Sequence, residues 1–389
     1  MLIPLRILWV SEVVPDPNSG AGGTELQFVK QLRLLGHQVT TIWEDQIARR
    51  IRHGNLHYAL ELPRSYCRVI ASEMKRGDFD VVTVNLGQSY YTGQMLRRQH
   101  FPGAFVVRSH GLDDHLEHVR KGQLARSGSS TVRGVFGAVL QKILASHMRK
   151  AADVCDGYVV SNSLDANWLA QKHGMPQQKI AVIPQAPADA FCSKERSPFS
   201  EERLRRLLYV ANFHSLKSPQ TVASVATRLL HSDPTLQLTW ICHESDHGKV
   251  RELTKEINPS QLQLGGWRSQ EELVQVFDQH GVFLYPSRFD GFGKIFLEAM
   301  SRGLCVAGAP AGGMVDIIQH GINGALCQPE AVDEIVAVVQ NWIATPAVAR
   351  QISENAVATA RRYTWELAGS KLSDFFSRRL ASKTGLKTV

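Results

Sequence analysis

The stretch Tyr285–Met300 reads YPSRFDGFGKIFLEAM. An apolar strand, Val282 to Pro286, ends at a proline, a Gly-x-Gly loop follows, and a helix begins within that loop. Bare glycine backbone at a helix N-terminus offers N–H donors and the positive end of the helix dipole, which together make an anion site. Asp290 and Glu298 stand on either side of the glycines, the first at the strand end and the second on the following helix. Two carboxylates flanking a phosphate cradle suit a ligand with hydroxyls on both sides of its phosphates, which describes a sugar nucleotide.

Outward from this stretch the chain alternates strand-length apolar runs with helix-like segments. Ile7–Val10, Val39–Trp43, Val81–Val84, Phe105–Val107, Gly157–Val160 and Lys179–Ile183 form a first series, with helical patterns such as Glu25–Leu35 between them. Continuous apolar strands joined by helices imply parallel sheets covered on both faces, with right-handed crossovers. Pro184–Arg206, with three prolines and few aliphatics, reads as an interdomain linker. A second series follows at Leu207–Ala211, Leu236–Cys242 and Val282–Pro286, and Ser269 with Glu272 forms a capping box after the turn at Gly265 and Gly266. The expected fold class is α/β: two doubly wound Rossmann-like domains, 1–190 and 191–365, facing across a cleft, with a closing helix at 366–389 crossing back to the first. Ligands in such sheets sit outside the carboxyl ends of the strands.

Composition narrows the function classes. The 389 residues include 43% hydrophobic and 21% charged side chains, as in a folded globular protein, which excludes disordered and collagen-like chains. Lys and Arg outnumber Asp and Glu by 44 to 36, a net charge of +8 that favours anionic ligands. Cys67, Cys155, Cys192, Cys242, Cys305 and Cys327 are scattered without a CxxC pair, so neither a zinc site nor a disulfide framework is indicated, and a reducing, cytoplasmic setting fits. The apolar start, interrupted by Arg6, reads as a strand rather than a signal peptide. Between Arg120 and Lys150 there are seven basic residues and no acidic one, with Val135, Phe136, Val139, Leu140, Ile143 and Leu144 at helical spacing. Such a helix is either a core-facing element with a solvated basic face or a peripheral contact with the anionic inner face of a membrane.

Asp290 to Met300, an acidic residue, then G-F-G, then a glutamate eight residues after the first and an A-M pair, resembles the C-terminal signature of the family 4 glycosyltransferases, retaining enzymes of the GT-B fold. The resemblance extends over nearly the whole chain: the Gly-rich loop after the first strand, Ile183-Pro184, Lys217, Gly313 to Ile318, and Tyr363 to Glu366. It implies transfer of a sugar from a nucleotide-diphosphate sugar, UDP- or GDP-linked, to an acceptor hydroxyl of a glycan, lipid-linked or small molecule, with no cofactor and no nucleic-acid partner. It implies that Glu298 holds the donor ribose and that Asp290 contacts the transferred sugar. Backbone at Gly291, Phe292 and Gly293 would meet sugar and phosphates, Lys217 would neutralise the diphosphate, and the turn Gly266-Trp267-Arg268 would read the base. No essential metal is expected, since no DxD pair accompanies the glycine loop.

Three departures bear on this. Asn212 stands where the family has an arginine five residues before the lysine, Asp290 is one methylene short of glutamate, and Gln185-Ala186 replaces Asn-Gly. They fit an altered donor, a compensating cation such as Arg288 or Lys294, or lost activity. The alternatives are thus a catalytically impaired GT-B scaffold that binds nucleotide, or a GT-B nucleotide-sugar epimerase. In the first domain Ser19 to Thr24 reads as a loop before a helix at Glu25. Its Gly22 and Gly23 come too far after the strand for a dinucleotide turn, and the resemblance brings them to the diphosphate or acceptor. His110, just beyond the strand Phe105–Val107, is at a place where the family often has a histidine near the reacting sugar.

Overall fold

The computed structural model describes residues 3–127 and 135–385. The chain divides into two compact units, Met1–Gln185 with Trp365–Val389, and Ala186–Thr364. In the first, β1 (Arg6–Val10), β2 (Gln38–Ile42), β3 (Val81–Asn85), β4 (Ala104–Arg108), β5 (Gly157–Val160) and β6 (Ile180–Val182) form a parallel sheet in the order β2-β1-β3-β4-β5-β6. The central strands β3 and β4 are buried at every position, VVTVN and AFVVR, because helices cover both faces. Edge strand β2, QVTTI, alternates between exposed and shielded residues instead.

The C-terminal helix Trp365–Thr384 belongs to this first unit. Trp365 packs edge-to-face on Phe28 with ring centres 5.5 Å apart, Ser373 meets His37 Nε2 at 2.7 Å, and Lys383 pairs with Asp156 at 2.8 Å. Gly157 makes room for the helix: a Cβ there would come within 2.7 Å of the Phe375 ring. In the helix Val135–Val154, Leu140 and Leu144 are buried against Ala59, and Met148, Ala151 and Ala152 join the main core. Of the apolar residues in the basic segment, Leu140 and Leu144 face inward and Val139 is 49% exposed, while Lys142, Arg149 and Lys150 are exposed. Residues 128–134, with Arg133, lie outside the described residues. Among the described residues no helix is long and apolar enough to cross a membrane.

In the second unit β7 (Arg206–Val210), β8 (Gln237–Ile241), β9 (Leu262–Gly265), β10 (Val282–Tyr285), β11 (Cys305–Gly308) and β12 (Ala325–Leu326) are again all parallel, in the order β12-β11-β10-β7-β8-β9. The strands β9, β11 and β12 escape the sequence pattern. The first alternates and ends on a glycine read as a turn, the second, CVAG, is built of small residues, and the last has 2 residues. The capping box is formed, Ser269 and Glu272 each satisfying the other's backbone N–H.

The segment read as a linker is mostly not one. Phe191 is 1% exposed and stacks edge-on against Phe277 at 5.3 Å, and the buried Arg302 guanidinium donates to the carbonyls of Phe191, Lys194 and Glu195. Five guanidinium donors can tie down irregular backbone that has no ladder of its own, so a proline-rich stretch becomes part of the second unit.

Each sheet has one topological switch point, where neighbouring strands send their connections in opposite directions. It falls at β1/β3 in the first unit and at β7/β10 in the second. The crevice at such a point is where open parallel sheets bind ligands.

Candidate functional site

At the β7/β10 switch point two loops are stitched together. Lys217 ends a short 3-10 turn, Ser215–Lys217, and Arg288 N and Ser287 Oγ both donate to the Leu216 carbonyl, at 2.8 and 3.1 Å. Ser218, buried and next in the chain, sits in the left-handed region at φ 55°, a conformation that costs a non-glycine residue of order 1 kcal/mol and marks functional turns. The backbone so held presents Lys217 Nζ 2.9 Å from the Tyr285 hydroxyl and 2.5 Å from Asp290 Oδ2, and Tyr285 donates to the same oxygen at 2.5 Å. Burial and the neighbouring Asp290 push the Tyr285 phenol well above its ordinary range, so it stays a donor. The Lys217 and Asp290 side chains are 24% and 16% exposed, open enough to exchange partners with a ligand.

The glycine loop follows. Gly293 lies at φ 83° and starts the helix Lys294–Ser301 with no side-chain cap, which leaves first-turn N–H groups for an outside anion. Gly312 and Gly313 let a second turn close over the loop: a Cβ at Gly312 would reach within 2.9 Å of the Asp290 carbonyl, and one at Gly313 within 2.5 Å of the Phe292 ring. The Phe292 side chain is core, 2% exposed, so only its backbone faces the loop's ligand side. On the helix, Glu298 is 6% exposed; Oε1 accepts from Ala188 N at 3.3 Å and has Lys294 Nζ at 3.9 Å. Burial raises its carboxyl, opposed by Lys294 and the Ala188 N–H.

The structure thus joins Lys217, Tyr285 and Asp290, with Gly291 to Gly293 and Glu298 on the adjoining loop and helix. Asn212 is exposed in the loop after β7, and Trp267 and Arg268 are exposed on the loop after β9, two strands or about 10 Å away from β7. Of the cations put forward to stand in for a missing arginine, Arg288 is already committed to Glu330 at 2.6 Å and to the Ser215 carbonyl.

In the first unit the expected loop at Ser19 to Thr24 is corrected: the helix runs Gly20–Leu34, with Ser19 Oγ accepting from Gly22 N at 2.9 Å. Gly22 and Gly23 are first-turn residues needed for close approach, since a Cβ would stand 2.3 Å from the Val14 carbonyl and 2.6 Å from that of Pro17. One helical turn on, Glu25 is fully buried. It accepts from Trp9 Nε1 at 2.7 Å and Arg108 Nη1 at 2.5 Å, and contacts His110 Nε2 at 2.7 Å. Arg108 lies over the Trp9 ring at 3.4 Å and also donates to Thr83 and the Val10 carbonyl. Despite burial, Arg108 and His110 hold the Glu25 carboxyl down at about 2. An ionised Glu25 accepts only, so His110 Nε2 carries the proton and Nδ1 faces away from it.

Glu25, Arg108, Trp9 and Tyr285 were not singled out from sequence. A signal existed for Glu25: it lies in register with Phe28, Val29 and Leu32 on the apolar stripe of its helix, where a carboxylate is out of place without a partner.

Two doubly wound units of this order define the fold of the GT-B glycosyltransferases. Sucrose-phosphate synthase from Thermosynechococcus elongatus superposes with a TM-score of 0.76 at 17% identity, over 97% of this chain and 100% of that one. Anabaena HepE in complex with UDP gives 0.69 at 14% identity, over 96% and 100%. Residues 193–359, within the second unit, match the family model described as glycosyl transferases group 1. Among curated proteins, the D-inositol 3-phosphate glycosyltransferase of Streptosporangium roseum is 23% identical over 250 residues, 60% of this chain and 57% of that protein. The match thus spans little more than half the length of that relative.

Proposed function

We propose that the protein is a retaining, metal-independent glycosyltransferase that moves a hexosyl group from a UDP- or GDP-linked sugar to an acceptor hydroxyl. One observation carries the reading: Lys217 and Asp290 meet at the β7/β10 switch point beside an uncapped helix N-terminus. The UDP in the HepE complex supports a nucleotide in this fold. When donor binds, phosphate oxygens take Lys217 from Asp290, and Asp290 and the Tyr285 hydroxyl turn to sugar hydroxyls. Glu298 holds the ribose, and Trp267 and Arg268 flank the base. As the bond from the sugar's anomeric carbon to the diphosphate oxygen breaks, negative charge grows on the diphosphate, where Lys217 and the helix N-terminus stabilise it. The acceptor oxygen bonds to the same face of that carbon and its proton passes to the departing diphosphate oxygen, so no protein base is consumed. In the first unit Glu25 orients His110, which with Gly22 and Gly23 stays a site candidate through the resemblance alone.

A panel of UDP- and GDP-sugars, incubated with mixed acceptors and chelator, tests this by nucleotide release and by mass of the new glycoside. Silence with every donor, together with no calorimetric binding of UDP or GDP, would sink the reading. Binding without turnover would point to a scaffold, and donor conversion without acceptor to an epimerase.

A further inference from the structure

The switch point of the first sheet, β1/β3, opens into a cavity of about 390 Å³, toward the lower end of small-molecule pockets. Its polar wall is acidic. Glu12 comes two residues after β1, Asp113 five after β4, and Glu117 one turn along the helix Asp113–Ser127. Among the described lining residues Arg120 is the single cation, and it stands 3.9 Å from Glu117. Tyr58, Leu86, Leu116 and Leu144 supply apolar wall.

The acidic groups here are under-solvated in the protein alone. Glu12 receives the Tyr66 hydroxyl at 2.5 Å and Asn85 Nδ2 at 3.2 Å, and Asp113 receives only a long 3.4 Å contact from Gln88 Nε2 among the described hydrogen bonds. Burial raises both carboxyls. Asn85 and Gln88 are themselves 1% and 0% exposed, and with their amide nitrogens spent on these two carboxylates, Asn85 Oδ1 and Gln88 Oε1 have no partner. Those two oxygens are sealed behind the wall; the groups that face the cavity are the carboxylates, which accept when ionised, so a fitting ligand brings donors.

We infer that this crevice takes the acceptor as an uncharged, hydroxyl-rich sugar group, its hydroxyls donated to Glu12, Asp113 and Glu117, and turns phosphorylated acceptors away. The inference rests on the glycosyltransferase reading and deepens it. A phosphate would meet three carboxylates and one guanidinium already beside Glu117, whereas hydroxyls satisfy the wall without adding charge. The preference is opposite to that in the printed name of the inositol 3-phosphate relative.

Saturation-transfer NMR on the full chain, without donor, with methyl glycosides of glucose, galactose and mannose against the 6-phosphates of the same sugars, reads the pocket directly. Neutral glycosides should show transfer and the phosphates little. Glu117→Gln and Asp113→Asn should each weaken glycoside binding about tenfold, with unchanged circular dichroism and unchanged calorimetric affinity for UDP or GDP. Should Asp113→Asn fail to fold, Glu117→Gln carries the test. No transfer to any neutral glycoside, transfer to the phosphates as strong as to them, or full binding in Glu117→Gln would overturn the inference. Loss of nucleotide binding in the wild type would instead strike the glycosyltransferase reading and leave the pocket result standing.

Discussion

The two units each build a carboxylate, cation and aromatic cluster at the carboxyl edge of a parallel sheet, and they differ in how far the charged pair is open. In the second unit the cation is at the surface: Lys217 shares Asp290 with the Tyr285 phenol, and both charged side chains are partly open. In the first unit the pair is sealed, with the Glu25 side chain 0% and that of Arg108 6% exposed, and only His110, at 23%, reaches out. An open pair can trade its partner for a ligand at little cost, whereas a sealed pair cannot separate and so fixes the orientation of what it holds.

The sharpest break of this contrast is Glu25→Leu. It leaves Arg108 buried and unpaired, and the expected loss is about 3–5 kcal/mol, read from the denaturant midpoint of the first unit. Acid should reveal the same pair. The Glu25 carboxyl is held at about 2 against an ordinary 4.5, so its stabilisation is present above 4.5 and drains away as pH falls toward 2. Glu25→Gln should flatten that lower part of the pH–stability profile. The neutral buried His147 of the first unit and His280 of the second, each lowered to about 4 from 6.5, make stability fall between 6.5 and 4 in both units.

Lys217→Ala should instead spare stability and cut turnover about 10²–10³-fold, as for removal of one donor that meets developing negative charge. If its melting temperature drops as far as that of Glu25→Leu, the open and sealed clusters are not different in kind. A smaller effect is expected from Glu298→Ala: about tenfold weaker UDP or GDP binding by calorimetry, the size of one hydrogen bond to a charged group. Unaltered affinity would remove Glu298 from the ribose.

Much of the second unit's candidate site was legible because its parts are close in sequence. Asp290, Gly291 to Gly293 and Glu298 fall within one strand, loop and helix, so spacing alone ranks them together. Lys217 needed the resemblance, and its pairing with Asp290 needed the sheet order that makes β7 and β10 neighbours. The first unit was less legible. Glu25, Arg108 and Trp9 come from a helix and two strands far apart in the chain. Gly22 and Gly23 looked like a ligand loop, yet their bare backbone is also required by the chain folding back at Val14 and Pro17.

The sequence by itself determined the class of fold, through apolar runs of strand length alternating with helices, and the candidate anion loop, through glycines at a helix start. Both are local, because period and backbone freedom act over a few residues. Tertiary structure decided the strand order, the taking-up of a proline-rich stretch through Arg302, and which charges meet. Those depend on long-range packing, where a buried ion is tolerated only once its partner arrives from elsewhere in the chain.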